Sequence, residues 1–159
     1  MHISVKTKDR VFGETFNVSE LISALQNDVF KEGLSPVTIQ TENYQGRLIG
    51  IYTPKNTNEI HLLGNNYNLL GKLLYDKTEA ISLISQIAGK VYLFNDVVGR
   101  GDVIRSLKEV PKDMKVFMET IADLQEGMRY TLTGVFKCSE ECPAVHLDSS
   151  YQRDSFLMN

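Results

Sequence analysis

Cysteine, long apolar runs and excess positive charge are all scarce in this sequence of 159 residues. Its two cysteines, Cys138 and Cys142, are too few for the disulfide scaffold of a small secreted domain. No apolar stretch approaches the roughly 18–20 residues of a membrane-spanning helix, and the N-terminal residues lack the apolar segment of a secretory signal. We therefore expect a cytoplasmic protein that does not interact with membranes.

The charge and composition are those of an ordinary globular domain. The net charge is −3, whereas a dedicated nucleic-acid binder usually needs a basic face for its phosphate contacts. The apolar fraction of 42% is sufficient for a core, and the length suits one domain. Repeats, low-complexity tracts and linkers are absent from the sequence. We expect a single domain over residues 1–150, followed by a loose tail over residues 151–159.

The order of strand-like and helical patterns is typical of an α+β protein. Alternating or β-branched apolar residues predict strands, and apolar residues at spacings of three and four predict helices. We expect one α+β domain with a mostly antiparallel sheet, built from N-terminal strands and a C-terminal hairpin, and with three to four helices packed on it. The predicted strands are residues 2–8, 11–18, 37–41, 47–52, 60–63, 91–94, 129–137 and 144–148. The predicted helices are residues 19–32, 67–75, 77–88, 102–107 and 111–125. Ser19 is the expected N-cap of the first, Gly71 interrupts the second, and the third has a broad apolar face.

The segment Pro111–Gln125 carries the most regular helical pattern. Proline is common in the first turn of a helix, and Gly127 suits the end of one. Apolar residues at helical spacing predict a core-facing stripe that includes Phe117, and this stripe consists of Met114, Phe117, Met118, Ile121 and Leu124.

The turn Gly99-Arg100-Gly101-Asp102 is the first candidate functional element. It joins a predicted buried strand to a predicted helix, so free N–H groups at the helix start could hold an anion such as phosphate. Gly99, Arg100, Gly101 and Arg105 are the candidate anion-binding residues, although the spacing matches neither common phosphate-loop motif. The alternative is a structural turn in which both glycines need positive φ and Asp102 caps the helix.

Cys138, Cys142 and His146 have a C-x₃-C-x₃-H spacing that weakly resembles a metal site. A structural zinc ion normally needs four ligands, and Asp148 is the only nearby fourth candidate. A free thiol pair beside a hairpin tip or a reversible disulfide are the other interpretations. We therefore expect no metal and no other cofactor, with these three residues as weak metal candidates.

No catalytic motif is readable, and the sequence carries no signature long enough to indicate a family. We expect a small cytoplasmic protein that binds or regulates another protein through protein–protein contacts, and we do not favour an enzyme. The alternative is a nucleotide- or nucleic-acid-binding module that uses the Gly99–Asp102 turn and the basic helix face after it. An exposed apolar patch would favour the first function, and a basic groove would favour the second.

Overall fold

The computed structural model describes residues 3–6, 10–26, 36–94, 98–137 and 144–149. This part of the chain contains ten strands and four helices. The strands are β1 (Ile3–Lys6), β2 (Arg10–Gly13), β3 (Val37–Gln40), β4 (Gln45–Pro54), β5 (Glu59–Asn66), β6 (Ala88–Leu93), β7 (Lys115–Thr120), β8 (Tyr130–Thr131), β9 (Gly134–Lys137) and β10 (Val145–Asp148). The helices are α1 (Val18–Leu25), α2 (Lys77–Ser85), α3 (Arg100–Leu107) and α4 (Ile121–Gln125).

All ten strands belong to one mixed sheet. Its order is β1-β2-β9-β10-β3-β4-β5-β7-β8, and β6 pairs with the second half of β4. The pairs β10–β3 and β5–β7 are parallel, and the other pairs are antiparallel. The prediction of an α+β protein with a mostly antiparallel sheet is confirmed in this coarse form, and two parallel pairs make the sheet mixed. The long connection between β5 and β7 explains one parallel pair, because parallel strands need a crossover.

The sheet has a core on each face because successive side chains of its central strands point to opposite faces. In β5, Ile60 and Leu62 belong to the larger core, while Leu63 belongs to a smaller core on the opposite face. Helices α1 and α3 supply buried side chains to the larger core, and α2 and α4 supply them to the smaller one. Among the helices described, none has the length and apolar character that crossing a membrane requires.

The prediction of one helix over Pro111–Gln125 is wrong. Residues Lys115–Thr120 form β7, and the helix α4 begins only at Ile121. Val116 and Met118 face the larger core, while Phe117 is buried on the other face. A strand buried on both faces has a continuous apolar run, which a helical template also matches. Thr120 then caps α4 through its side chain, which accepts a hydrogen bond from Asp123 N at 3.2 Å.

Several other boundaries differ from the sequence predictions. Helix α1 is capped by Asn17 rather than Ser19, and residues 67–75 form no helix. Strand β6 is largely exposed rather than buried, and α2 buries only Ala80 and Ile84 although a broad apolar face was expected. The predicted C-terminal hairpin exists as the antiparallel pair β9–β10. Its tip and the predicted tail over residues 151–159 lie outside the described residues.

Candidate functional site

The predicted anion-binding residues lie together at the start of α3, and they donate hydrogen bonds to the Asp102 carboxylate and to the end of α1. Within the described residues, the buried Arg100 Nε has no partner. Gly99 N donates to Asp102 Oδ2 at 3.1 Å, and Arg105 donates to the other oxygen of Asp102. The Arg100 guanidinium is directed to the end of α1, where it donates to Leu25 O at 2.9 Å. An anion at this turn would have to compete with the Asp102 carboxylate, and the anion site stays a prediction.

The two glycines of this turn do not have the backbone conformation that the structural alternative required. Gly99 is the N-cap residue of α3 with φ −93°, and Gly101 lies within the helix. Positive φ occurs among the glycines of the described chain at Gly71 and Gly127 instead. Asp102 is the third residue of α3 rather than its cap, and its side chain accepts a hydrogen bond from the backbone N–H of the N-cap residue Gly99.

The weak metal candidates are only partly described. Cys138 and Cys142 lie outside the described residues, so their predicted relation to His146 is not tested. The His146 ring stacks on Phe136 with centroids 5.2 Å apart, and its Nδ1 lies 2.7 Å from Thr38 Oγ1. Burial lowers the pKa of His146, which favours the neutral ring. Within the described part of the chain, no three or more His, Cys, Asp or Glu side chains are arranged so that they could hold a metal ion.

A small hairpin over residues 66–74, here called the leucine hairpin, is fixed by its own hydrogen bonds. Tyr67 and Leu73 form an isolated antiparallel bridge. At the tip, the Asn68 side-chain oxygen accepts from Leu70 N at 2.9 Å and from Lys72 N at 3.0 Å. Gly71 has φ +78°, a conformation that glycine adopts without strain. Turn chemistry therefore overrides the helical spacing of the leucines in this segment.

The tip of the leucine hairpin displays large apolar side chains to solvent. Leu69 is fully exposed and Leu70 is 93% exposed, while Leu73 and Leu74 are partly exposed. A groove of about 400 Å³ runs beside the hairpin. The groove is lined by residues of the loop after β3 and of the hairpin, including Thr41, Tyr44, Gln45, Tyr67, Leu69 and Leu74. An exposed apolar patch is the feature that the protein-binding prediction expects.

A second candidate site, here called the histidine cluster, lies on the smaller-core face of the sheet and consists of Tyr52, Glu59, His61, Glu119 and Arg129. His61 on β5 is directly opposite Tyr52 on β4, and Glu59 and Glu119 lie two residues along their strands on the same face. The His61 ring stacks on Tyr52 with centroids 5.0 Å apart. Strand register thus assembles side chains from three neighbouring strands.

In the cluster, acidic and basic side chains pair one after another from the interior of the protein to its surface. Glu119, which is 1% exposed, accepts from the Tyr52 hydroxyl and lies 2.9 Å from His61 Nδ1 through Oε2. His61 Nε2 lies 3.2 Å from Glu59 Oε2, which also accepts from Arg129. The Arg129 guanidinium carbon lies 4.3 Å from the centroid of the Phe117 ring. Because the Arg129 side chain is 51% exposed, the chain of partners ends at the surface.

These contacts change the acid–base properties of the cluster. Burial alone would lower the pKa of His61, but hydrogen bonds and charge from Glu119 and Glu59 outweigh it and raise that pKa. Burial opposes ionisation of Glu59, yet its hydrogen bonds to His61 and Arg129 keep its pKa below the usual value. Burial and the nearby Glu119 charge raise the pKa of Tyr52, so this phenol remains a donor. These directions favour a protonated His61 ring beside an ionised Glu59, with the Tyr52 phenol kept neutral.

A cleft of about 320 Å³ opens over the cluster beside the C-terminal ends of α2 and α4. Its floor contains the five cluster residues, and its walls are largely apolar, with Pro54, Ile87, Leu124 and Met128. Sequence reasoning identified neither this site nor the leucine hairpin. The Asn68 and Gly71 turn signals could have revealed the hairpin, but no local pattern connects His61 with Glu119. Comparisons with family models, curated proteins and solved structures give no match to this chain.

Proposed function

We propose that this protein is a small cytoplasmic binding protein that contacts another protein through the leucine hairpin. The observation that carries the proposal is the nearly complete exposure of Leu69 and Leu70 at the tip of an internally hydrogen-bonded turn. An apolar tip with a fixed backbone binds without a large loss of conformational entropy, because its shape exists before the partner arrives. The partner is expected to present a concave apolar pocket, since the tip itself is convex.

The size of the expected effect follows from the area that binding would remove from water. Complete burial of a leucine side chain contributes about 1.5–3 kcal/mol. Two such side chains would therefore contribute on the order of 3–6 kcal/mol of binding free energy. Each 1.4 kcal/mol corresponds to a factor of about ten in affinity, so replacing both leucines by asparagine should weaken binding by about a hundredfold or more.

Charge favours a protein partner over nucleic acid or an anionic membrane. Lys72 is the charged residue of the leucine hairpin, and the whole chain has a net charge of −3. Nucleic-acid binding and peripheral binding to anionic lipid both depend on clusters of basic residues. A tip with two exposed leucines and a single charged residue is instead typical of a protein–protein interface, where charged residues are depleted at the centre.

The test begins with a photo-crosslinking amino acid at position 70 in cells that express the protein. The same amino acid at Leu83, which is partly exposed on α2, is the matched control. The captured protein is then purified and titrated with wild type and with the Leu69→Asn, Leu70→Asn double variant. Selective capture at position 70 and a loss of about a hundredfold in affinity would support the proposal.

Several outcomes would contradict the proposal. Equal capture from positions 70 and 83, or equal affinity of the double variant, would exclude the hairpin as the contact element. Capture of a second copy of this chain would mean that the hairpin mediates self-association rather than contact with a different protein. Binding of the wild type to neutral or anionic lipid vesicles, lost in the double variant, would identify a membrane as the target instead.

The alternative, a nucleotide- or nucleic-acid-binding module at the Gly99–Asp102 turn, has its own test. Phosphate, ATP and a short oligonucleotide are titrated against wild type and Arg100→Ala. Binding that requires Arg100 would support the alternative. Absence of binding at millimolar concentrations, or binding that is unchanged in the variant, would exclude it.

A further inference from the structure

The cleft over the histidine cluster has no role in the proposed contact through the leucine hairpin, yet it combines two features of small-molecule sites. Such sites are largely apolar concavities, with volumes of roughly 300–1,000 Å³ and a few oriented polar groups. This cleft has a volume of about 320 Å³ and a rim formed by Ile87, Leu124 and Met128. Its floor carries buried charged groups, whose desolvation is costly and which are enriched at functional sites.

The charges of the floor balance, so the site favours an uncharged ligand. Glu59 and Glu119 contribute two negative charges, and Arg129 and the doubly hydrogen-bonded His61 contribute two positive charges. An anionic ligand would meet the Glu59 carboxylate beside Arg129. A cationic ligand would meet the Arg129 guanidinium beside Glu59. A neutral ligand avoids both repulsions.

The polar groups of the floor also define a hydrogen-bonding pattern. Glu59 Oε2 accepts from His61 and Arg129, whereas Glu59 Oε1 accepts from no donor within the described residues. Arg129 uses one N–H group on Glu59, and its other N–H groups have no acceptor in the described part of the chain. Contact with the Phe117 ring helps to hold the guanidinium in place. A free acceptor therefore lies beside a free donor.

We infer that this cleft binds a small uncharged molecule that carries a carboxamide or lactam group on an apolar body. The N–H of the amide donates to Glu59, and its carbonyl oxygen accepts from Arg129. The apolar body packs against Ile87, Leu124 and Met128. At neutral pH a carboxylate lacks the donor and an ammonium group lacks the acceptor, so neither satisfies both protein groups.

Three ligands of nearly equal size test this specificity: benzamide, benzoate and benzylamine. Each is titrated against the full-length protein at neutral pH, with binding followed by protein NMR chemical shifts. We expect benzamide to bind in the millimolar range and to bind about tenfold more tightly than benzoate or benzylamine, because sites that pair both polar groups discriminate against ligands lacking one. No benzamide binding at millimolar concentrations, or equal binding of all three, would overturn the inference.

A pair of variants on and after α2 tests the location. Ile87→Trp fills the cleft from its rim, whereas Leu83→Trp places the same side chain on an exposed position that does not line the cleft. Benzamide binding should be lost in Ile87→Trp and retained in Leu83→Trp. Equal binding by the two variants would place any benzamide site elsewhere and would contradict the inference.

Glu59→Gln tests the role of charge balance. The variant keeps a side-chain oxygen at this position but removes one negative charge, so the floor gains a net positive charge. The preference should shift from benzamide towards benzoate by about tenfold, the change expected when one ionic contact becomes favourable. An unchanged order of affinities in a folded Glu59→Gln protein would show that Glu59 and Arg129 do not determine which ligand binds more tightly.

Discussion

The substitution Glu119→Leu would remove the most deeply buried acceptor of the histidine cluster. Its carboxylate accepts from the Tyr52 hydroxyl and pairs with His61, and the residue is 1% exposed. Leucine has a similar volume but accepts no hydrogen bond. The hydroxyl and the imidazole would both lose their buried partner, and each unpaired buried group costs about 1–3 kcal/mol.

The expected loss of unfolding free energy is about 3–5 kcal/mol, in the range observed when one partner of a buried ion pair is removed. A domain of this kind has a total stability of about 5–15 kcal/mol, so the variant should remain folded but with a clearly lower denaturation midpoint. The measurement is urea denaturation at neutral pH with circular dichroism. Glu126→Leu is the control, because Glu126 is exposed and its hydrogen bond to Tyr44 is also exposed.

A loss below about 1 kcal/mol would refute this reasoning, since surface ion pairs contribute that little. The hydrogen bond between Tyr52 and Glu119 leads to a second expectation. Tyr52→Phe in the Glu119→Leu background should cost less than Tyr52→Phe in the wild type, because the hydroxyl has already lost its acceptor. Strict additivity of the two substitutions would mean that Tyr52 and Glu119 do not interact.

Three further predictions concern pH, backbone and core. The pKa of His61 is raised above 6.5, so its stabilising contribution is full below about pH 6.5 and declines as the pH rises through the folded pKa. When the free energy of unfolding is measured by denaturation at a series of pH values, His61→Gln should abolish this decline. An unchanged decline in the variant would show that His61 does not cause it. Gly101→Ala should stabilise by up to about 1 kcal/mol, because the added Cβ meets no heavy atom nearer than 3.8 Å; a lower melting temperature would contradict it. Phe117→Ala should destabilise by about 3–5 kcal/mol in urea, because Phe117 is buried and its ring stacks on His61; a loss under about 1 kcal/mol would mean that its burial contributes little.

The sequence predicts those parts of the fold in which local signals agree. Residues 37–41 and 47–52 were predicted as strands around a polar loop, and β3 and β4 form that antiparallel pair. The helix near residue 20 was also predicted, although its N-cap is Asn17, two residues before the predicted Ser19. In these segments, the spacing of the apolar residues and the turn residues indicate the same structure, so tertiary contacts do not have to override them.

The errors occur where one local signal admits two structures. The apolar residues of β7 satisfy a helical spacing only because the strand is buried on both faces, and that burial depends on its neighbours. In the leucine hairpin, Leu69, Leu70, Leu73 and Leu74 have helical spacing, yet the Asn68 side chain and Gly71 close a turn. Exposure of these leucines is a tertiary property, which periodicity alone does not contain.

The histidine cluster could not be predicted from sequence at all, for a geometric reason. Glu119 is 58 residues from His61 and 67 residues from Tyr52 along the chain. The three side chains meet because β5 lies between β4 and β7 in a fixed register. Twenty acidic residues in the sequence offer no local criterion for choosing Glu119 as the partner of His61.

Stability alone does not explain why the histidine cluster contains buried charged groups. Well-packed apolar residues often replace a buried ion pair without loss, and sometimes with a gain of about 1–4 kcal/mol. A triple variant, Tyr52→Phe, His61→Phe and Glu119→Leu, should therefore regain much of the stability lost in Glu119→Leu. If the cluster exists for ligand recognition, the same variant should lose the preference for benzamide over benzoate, because Glu59 and Arg129 would no longer be held by His61. Recovered stability together with an unchanged preference would show that Tyr52, His61 and Glu119 have no role in ligand binding, which would then depend on Glu59 and Arg129 alone.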